Sequence, residues 1–599
     1  MSNLEKQSPY RIPIEGIYLL GVLLAVVWLV FFPALNGPLL LDDVGSVVTS
    51  KITELSIAEV ERVATSNNSG IFGRPIPVIT FALNYYIWPD SVVSLKVTNL
   101  VIHTINTALV FILAVNIFVR SNLQESRKHT TLLALTVTLF WAIHPLQVST
   151  VMYVVQRMTL LMTLFTLISL LSYIKFRKKP PRNALTSLLA ILLILGSAVL
   201  ACLCKENGAL VFAYFLLLEI TLFRSSIKSF VQNPTASAIP LFCCYIPIMI
   251  GIFGVALLFE QLTTGYSYRE YDMFQRLITE PGIVAMYLNM IVLPDLNDMY
   301  FYHDNYPIES ALNITNVAYI SLFAILLAVS ALTFRKHPVV AIGISFFFIS
   351  HIVESTFIPL ELVFEHRNYF AIFGIAMLGA WVFSFAIKHT SSRVIKIIPI
   401  SAILILLGPQ THGRSLEWSN STTLHNFAFN ANPSSVRART SLAIELFNQK
   451  KFDKSISLLR EGVEIHPGNV QIASLMFHLL AGSGNLTQQD VDDMTQLIST
   501  GKITKAVVFE LVNIHRSAKS GTIHINPAIL KSYFEIAIRR SDKYLAPQTE
   551  SMLLANFADL LADNNDTNSA LIAINRAIEL DDTITSYHTL RSIIVSAAE

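Results

Sequence analysis

The sequence predicts an all-α protein in two parts: a polytopic membrane helix bundle over residues 1–410 and a tetratricopeptide-type α-solenoid over residues 411–599. Three observations predict it. Of the 599 residues, 53% are hydrophobic and only 14% charged, and the mean hydropathy is +0.55, which excludes an ordinary soluble protein. Apolar runs of the roughly 20 residues needed to cross a bilayer recur up to about residue 410 and then stop. Beyond them the chain turns polar and carries a repeated helix-pair pattern.

The first run, "GIYLLGVLLAVVWLVFFPAL", follows "MSNLEKQSPYRIP" and lacks a small-residue cleavage site, so it is expected as a retained helix. Further spans are expected at 92–118, 130–148, 151–175, 184–203, 208–224, 237–259, 315–334, 338–356, 366–388 and 394–409, eleven with the first. The short segment 282–294, which ends in Pro294, is expected to lie in the interface. With eleven crossings the basic stretches "VRSNLQESRKH", "KFRKKPPR", "FRSSIK", "FRKH" and "KHTSSRVIK" all fall on the cytoplasmic side, as the positive-inside rule requires. The expectation is then an inward N-terminus and an outward C-terminus. Loop 37–91 faces outward, and Arg74, Lys205, Glu206, Glu354, Glu365, His366 and Arg367 gather at that face, the outline of a cleft.

In the polar part, "SLAIELFNQKKFDKSISLLREGVEIHPGN" places Leu442, Ala443, Phe452, Ser455, Leu459, Gly462 and Pro467 at the spacing by which two antiparallel helices interlock. "NFADLLADNNDTNSALIAINRAIELDD" repeats it with Phe557, Ala558, Ala570, Ile574 and Ala577. Such pairs stack into a superhelix with a concave surface that binds protein segments. The 43 Lys and Arg nearly balance the 41 Asp and Glu, so charge points to no nucleic-acid partner. Cys202, Cys204, Cys243 and Cys244 lie in apolar segments and form neither a disulfide framework nor a zinc pattern.

Four stretches carry candidate chemistry. "GPLLLDDVGSV" places Asp42 and Asp43 just outside the first helix. Arg157, about two turns inside a membrane helix, is either one half of a structural pair or the partner of an anion, since a guanidinium presents a planar fork to phosphate. His144 and Gln147 stand at the mouth of the preceding helix, while Lys96, Asn99, His103 and Asn106 share one helix face that must point into the bundle. "CKENG" supplies Lys205 and Glu206, and "FEHRNYF" supplies Glu365, His366 and Arg367. Together they offer carboxylates for a general base and cations for a phosphate.

Read in order, "LDDVGSV", "GRPIPVITFALNYYI", "VTNLVIHTINTALVF", "LFWAIHPLQVSTVMYVVQRMTLLMTLF", "CLCKENGALV", "RLITEPGIVAMYLNMIVLP" and "ESTFIPLELVFEHRNYF" resemble the family of transmembrane and tetratricopeptide-repeat O-mannosyltransferases and their bacterial relatives. The resemblance implies a type C glycosyltransferase fold over residues 37–375 and an inverting transfer of sugar from a polyprenyl-phosphate carrier to an acceptor at the outer face. It implies that the catalytic base is in the first outer loop, on Asp42 or Asp43; of the two, Asp43 is favoured because it stands one residue further from the membrane helix and nearer the flexible "GS" that would let the loop close over an acceptor. It gives Arg157, Arg367 and Lys205 to the carrier phosphate, with Arg74, Glu206, His144, Glu365 and His366 as further substrate-binding candidates. The expected partners are membrane lipids, the lipid-linked sugar and an acceptor protein held by the repeats. No cofactor or metal ligand set is expected, though a divalent ion stays open. The expected location is a bacterial inner membrane with the repeats in the periplasm, or the endoplasmic-reticulum membrane. Transfer of an oligosaccharide, modification of a glycolipid, and a non-catalytic scaffold are the alternatives.

Overall fold

The computed structural model describes residues 12–47, 50–65, 73–121, 123, 126–223, 234–388, 393–541 and 545–598. Part of the material for the orientation, Arg224 to Lys228 and His389 to Ser392, lies outside the described residues, as do residues 66–72 of the first loop. The protein is all-α, 80% helical, with no strand among the described residues. It divides into two compact units. The first comprises Met1–Thr263, Met273–Phe301 and Tyr306–Leu424; the second comprises Thr264–Asp272, Tyr302–Asn305 and His425–Glu599.

In the first unit, eight helical stretches among the described residues are long and apolar enough to cross a membrane: Ile14–Asn36, Val92–Arg120, Val154–Lys178, Ala184–Cys204, Glu206–Phe223, Ser237–Leu257, Ile314–Thr333 and Glu365–Phe385. Arg127–Ala142 and Pro338–His351, with 16 and 14 residues, are shorter. Arg393–Glu417 carries Pro399 and Pro409 inside the helix and runs unbroken past residue 410, the expected domain limit. Residues 282–292 of the segment 282–294 belong to a longer helix, Met273–Val292.

The polar stripe of helix Val92–Arg120 faces inward, with Lys96, Asn99, His103 and Asn106 fully buried. Its task is legible from its partners. After Ala142 the chain cannot continue as a helix, because Pro145 removes a donor and a run of β-branched residues follows. It becomes a short helix, Gln147–Met152, and a single turn, Val154–Gln156. Irregular backbone at this depth must be satisfied by protein groups. Asn99 Nδ2 donates to the Val151 and Val154 carbonyls at 3.1 and 3.2 Å, and Asn106 Nδ2 to Leu160 at 3.0 Å. Gln147 Nε2 donates to the Trp141 and Tyr369 carbonyls at 2.9 and 3.2 Å. The stripe therefore braces the broken segment that carries Arg157 at its end.

The second unit is a row of antiparallel helix pairs. Val436–Asn448 pairs with Phe452–Ile465, Val470–Ser483 with Gln488–Thr500, Lys505–Lys519 with Pro527–Ser541, and Pro547–Asp563 with Thr567–Leu580; Thr585–Ala598 closes the row. The interlocking residues behave as their spacing predicts. Ser455 Oγ donates to the Ala443 carbonyl at 2.7 Å between buried residues, and a Cβ on Gly462 would lie 2.6 Å from Arg439 Cδ. Between the two quoted repeats, Tyr533, Phe534 and Ala537 of helix Pro527–Ser541 sit in a core cluster of this unit. Two short segments from the middle of the chain complete it. Tyr302 bonds Ser441 at 3.0 Å, Asn305 and Asn432 exchange amide bonds at 2.8 and 2.9 Å, and Lys502 pairs with Glu270 at 3.0 Å.

Candidate active site

The site is built around residues 153–159 of the first unit. On one side lies the loop with the two aspartates. Its start is pinned by Gly37, where a Cβ would fall 2.0 Å from the Trp418 carbonyl oxygen. Leu41 then adopts φ 36°, an uncommon conformation for a bulky residue, and Asp42–Ser46 form one helical turn. That turn separates the two carboxylates. Asp43 points inward and is fully buried; its Oδ2 accepts from Leu40 N–H at 2.9 Å and its Oδ1 from Val155 N–H at 2.6 Å. Burial pushes its carboxyl from 3.8 up to about 7, against the pull of those backbone N–H groups and of Lys96. Asp42 is exposed, and its backbone N–H donates to the Tyr153 hydroxyl at 3.1 Å. The sequence favoured Asp43 as base because it stood nearer a flexible "GS". The structure corrects that premise: Gly45 and Ser46 belong to the helical turn, and it is Asp42 whose carboxylate meets solvent.

On the other side lies a charged cleft of about 340 Å³ lined by Thr159, Lys205, Asn207, Glu354, His366 and Arg367 among others. Gly208 sets its rim, because a Cβ there would lie 2.3 Å from the Ala201 carbonyl carbon. The close approach turns the chain sharply and puts Lys205 and Glu206 at the helix ends. Lys205 Nζ pairs with Glu354 at 2.8 Å and donates to Thr159 Oγ1 at 3.3 Å. Arg74, in the left-handed region at φ 51°, pairs with Glu206 at 2.9 Å, each with about a fifth of its side chain exposed. Arg367 donates to the Leu362 carbonyl at 2.6 Å and the Glu354 carbonyl at 3.3 Å. Burial alone would raise the Glu354 carboxyl, but Lys205, Arg367 and His366 hold it below its ordinary value. Three cations, Arg74, Lys205 and Arg367, and two carboxylates, Glu206 and Glu354, gather at this end of the bundle.

Val155, which holds Asp43, and Thr159, which touches Lys205, are four residues apart, about 6 Å along a helix. The Asp43 loop and the charged cleft therefore adjoin the same short stretch of chain.

One expected ligand of the carrier phosphate, Arg157, and two further substrate-binding candidates, His144 and Glu365, turn out to be engaged within the fold. Arg157 is fully buried and already engaged: Nε donates to Asn99 Oδ1 at 2.8 Å, Nη1 to Asn84 Oδ1 at 2.8 Å and Thr80 O at 3.1 Å, and Nη2 to Leu95 O at 2.9 Å. Its plane also lies 4.5 Å from the Phe81 ring. It is a clamp between helices rather than an anion site. His144 is buried with one ring nitrogen on the Ile291 carbonyl at 3.1 Å and the other on Leu146 N–H at 3.3 Å, so it too braces the fold. Glu365 forms a buried ion pair with Arg414. Sequence reading passed over Arg276, which reaches the Glu354, Thr356 and Leu360 carbonyls at 2.7, 2.8 and 2.5 Å and thereby shapes the loop behind the cleft. Its signal was "RLITE", an Arg and a Glu one helical turn apart, which form an ion pair at 2.6 Å. In the second unit, His515, Asp559 and Asp563 lie close enough to share a cation, but Lys519 Nζ already bridges both carboxylates at 2.7 and 2.9 Å.

No protein-family model matches the chain. The chain is 22% identical over 459 residues, 72% of its length, to protein O-mannosyl-transferase F38B6.6 of Caenorhabditis elegans, and spans 60% of that protein's length. Among solved structures, the Cut9-Hcn1 hetero-tetramer of APC/C aligns over 90% of this chain and 86% of that one at 11% identity and a TM-score of 0.23, too low to carry an argument.

Proposed function

We propose that this distant relative of an O-mannosyl-transferase is a membrane glycosyltransferase that moves a sugar from a polyprenyl-phosphate carrier to an acceptor hydroxyl, most simply of a protein, on the outer face of the membrane. The observation that supports the reading is that one short stretch, residues 153–159, touches both the loop that exposes the Asp42 carboxylate and the Lys205 of the charged cleft. In this reading the Asp42 carboxylate takes the proton of the acceptor hydroxyl as its oxygen forms a bond to the anomeric carbon. The bond from that carbon to the carrier phosphate breaks, and the phosphate leaves with the electron pair. Attack opposite the leaving group inverts the anomeric centre. The charge gathering on the departing phosphate oxygen meets Lys205 and Arg367, with Arg74 and His366 beside them, in a site screened from bulk water, where preorganised cations act most strongly. Asp43 acts on the loop rather than on the acceptor: its two backbone bonds fix the turn that presents Asp42. The repeats serve to bring the acceptor protein, and the protein works without a cofactor.

Incubating the full-length protein with a polyprenyl-phosphate mannose and a Ser/Thr-rich peptide tests the reading. Glycopeptide with inverted anomeric configuration by NMR is the expected product. Absence of transfer to peptide, with transfer to a glycolipid instead, would replace it by the glycolipid alternative. The outward location of the repeats is checked by a reporter fused after Glu599 that is active only outside the cytoplasm.

A further inference from the structure

In the second unit a chain of three hydrogen-bonded side chains crosses between helices Val470–Ser483 and Lys505–Lys519. His478 Nδ1 lies 2.5 Å from Glu510 Oε1, and its Nε2 lies 3.1 Å from Ser517 Oγ. The partners decide the tautomer: an ionised carboxylate only accepts, so the ring proton sits on Nδ1 and Nε2 is left to accept from the serine hydroxyl. A hydroxyl bonded to a base that a third group orients is the arrangement of an activated nucleophile, recognised by geometry and not by position in the chain. Glu510 and His478 keep only 15% and 19% of their side chains exposed, and Ser517 is half-buried.

The end of the helix holds the serine in place. Its carbonyl accepts from Thr522 N–H at 2.9 Å and from Ile523 N–H at 3.3 Å, because Gly521, at φ 73°, turns the chain back over the helix end. The same end carries the negative pole of the helix dipole, which favours the imidazolium formed when His478 takes a proton. Two neighbours complete the surface. Phe509, Asn513 and Ser517 follow one another at four-residue spacing and share one helix face. Phe509 is 45% exposed; Asn513 is exposed, and its side chain makes no hydrogen bond among the described residues. An amide donor beside a nucleophile meets the charge that develops on a carbonyl oxygen, and an open aromatic ring gives an apolar acyl group a surface to lie on.

We propose that Ser517, His478 and Glu510 form an esterase-type site on the repeat unit, which takes carboxylic esters with an apolar acyl group. Ser517 Oγ bonds to the ester carbonyl carbon as its proton passes to His478 Nε2, and the carbonyl electron pair moves onto the oxygen, where Asn513 Nδ2 donates to it. The pair then returns, the bond to the alcohol oxygen breaks, and the leaving oxygen takes the proton from His478. Water enters by the same route and releases the acid from Ser517. Glu510 keeps Nδ1–H in place and balances the charge of the imidazolium. The site uses none of the residues of the charged cleft and is independent of sugar transfer there.

The test uses full-length protein with a fluorophosphonate probe, which phosphonylates activated serines, and with 4-nitrophenyl butyrate as the ester. The probe is expected to label wild-type protein on Ser517, located by mass spectrometry of the digested protein, and to leave that position unlabelled in Ser517→Ala. His478→Gln is expected to slow labelling by about 100- to 10,000-fold. Asn513→Ala removes an exposed side chain with no bond to lose, and is expected to lower kcat for the ester by roughly 100-fold at an unchanged melting temperature. Wild-type protein that takes up no probe on Ser517 overturns the site, a result that no misfolded variant can imitate. Equal labelling rates in wild type and His478→Gln overturn it as well, since a hydroxyl that needs no base is an ordinary surface serine. Ester hydrolysis undiminished in Ser517→Ala does the same, and an unchanged kcat in Asn513→Ala removes the amide from the chemistry.

Discussion

Arg157 and Lys205 are both cations buried among apolar helices, and the turn from Arg157 to Thr159 nearly joins them, yet they are held in opposite ways. Around Arg157 the hydrogen-bond partners are neutral, two asparagine oxygens and two carbonyls among them, and they engage all three guanidinium nitrogens. Around Lys205 the main partner is a carboxylate, the neighbours include two further cations, and open space adjoins. The first arrangement spends the charge on joining helices. The second sets charged side chains beside a cleft. Burial of a cation in a membrane bundle is therefore poor evidence of a ligand; charged side chains that line open space are better evidence.

The comparison breaks most sharply at Arg157. Arg157→Ala would leave a set of buried oxygens without donors, a loss of roughly 1–3 kcal/mol for each unsatisfied group. The expected result is protein that no longer runs as a single folded species in detergent, with Arg157→Lys failing to rescue because one ammonium cannot span the same acceptors. A well-folded alanine variant that has lost only donor binding would return Arg157 to the phosphate site. Asp42→Asn is expected to keep donor binding and thermal stability while kcat falls by about 100- to 10,000-fold. Asp43→Asn should instead lower the melting temperature, since an amide cannot accept from both Leu40 and Val155. The reverse ranking would make Asp43 the base after all.

At the cleft, Lys205→Met combined with Glu354→Gln, so that no buried carboxylate is left alone, should raise KM for the donor by roughly 10- to 100-fold, as expected for a lost charged hydrogen bond. An unchanged KM would place the phosphate elsewhere and erase the contrast with Arg157. The smallest effect is on pH dependence. Because the folded protein raises the Asp43 carboxyl from 3.8 to about 7, between those values the unfolded chain has released a proton that the folded one keeps. This group's contribution to stability is then greatest below about 4 and falls as pH rises towards 7. Thermal unfolding followed across that window should show a decline that Asp43→Asn flattens.

How much of this was legible beforehand follows from the range of the interactions. The helical spans, the inward polar stripe of Lys96 to Asn106 and the repeat pairs rest on local periodicity, and the chain spells that out. The gathering of Lys205, Glu354 and Arg367 at one end of the bundle was also readable, since helix ends alternate sides. What was not readable was the direction of a side chain on an irregular segment. Asp42 and Asp43 are adjacent in a quoted motif, and only the unusual backbone at Leu41 decides which one faces in. Likewise "QRMT" does not announce that Asn84, Leu95 and Asn99, from two other helices, converge on its arginine.

The discontinuous make-up of the second unit has a topological consequence. Residues 264–272 and 302–305 fold with residues 425–599, and a compact water-facing body cannot be assembled through a bilayer, so all three stretches must be delivered to one side of it. The parity of crossings between them is then fixed as even. The single helix Met273–Val292 cannot traverse the membrane once, and the chain from residue 306 to 424 must return to the side it left, as four helices in that interval permit. During synthesis the two early stretches emerge long before the repeats that receive them. Closure of the repeat body therefore waits for residues 425–599.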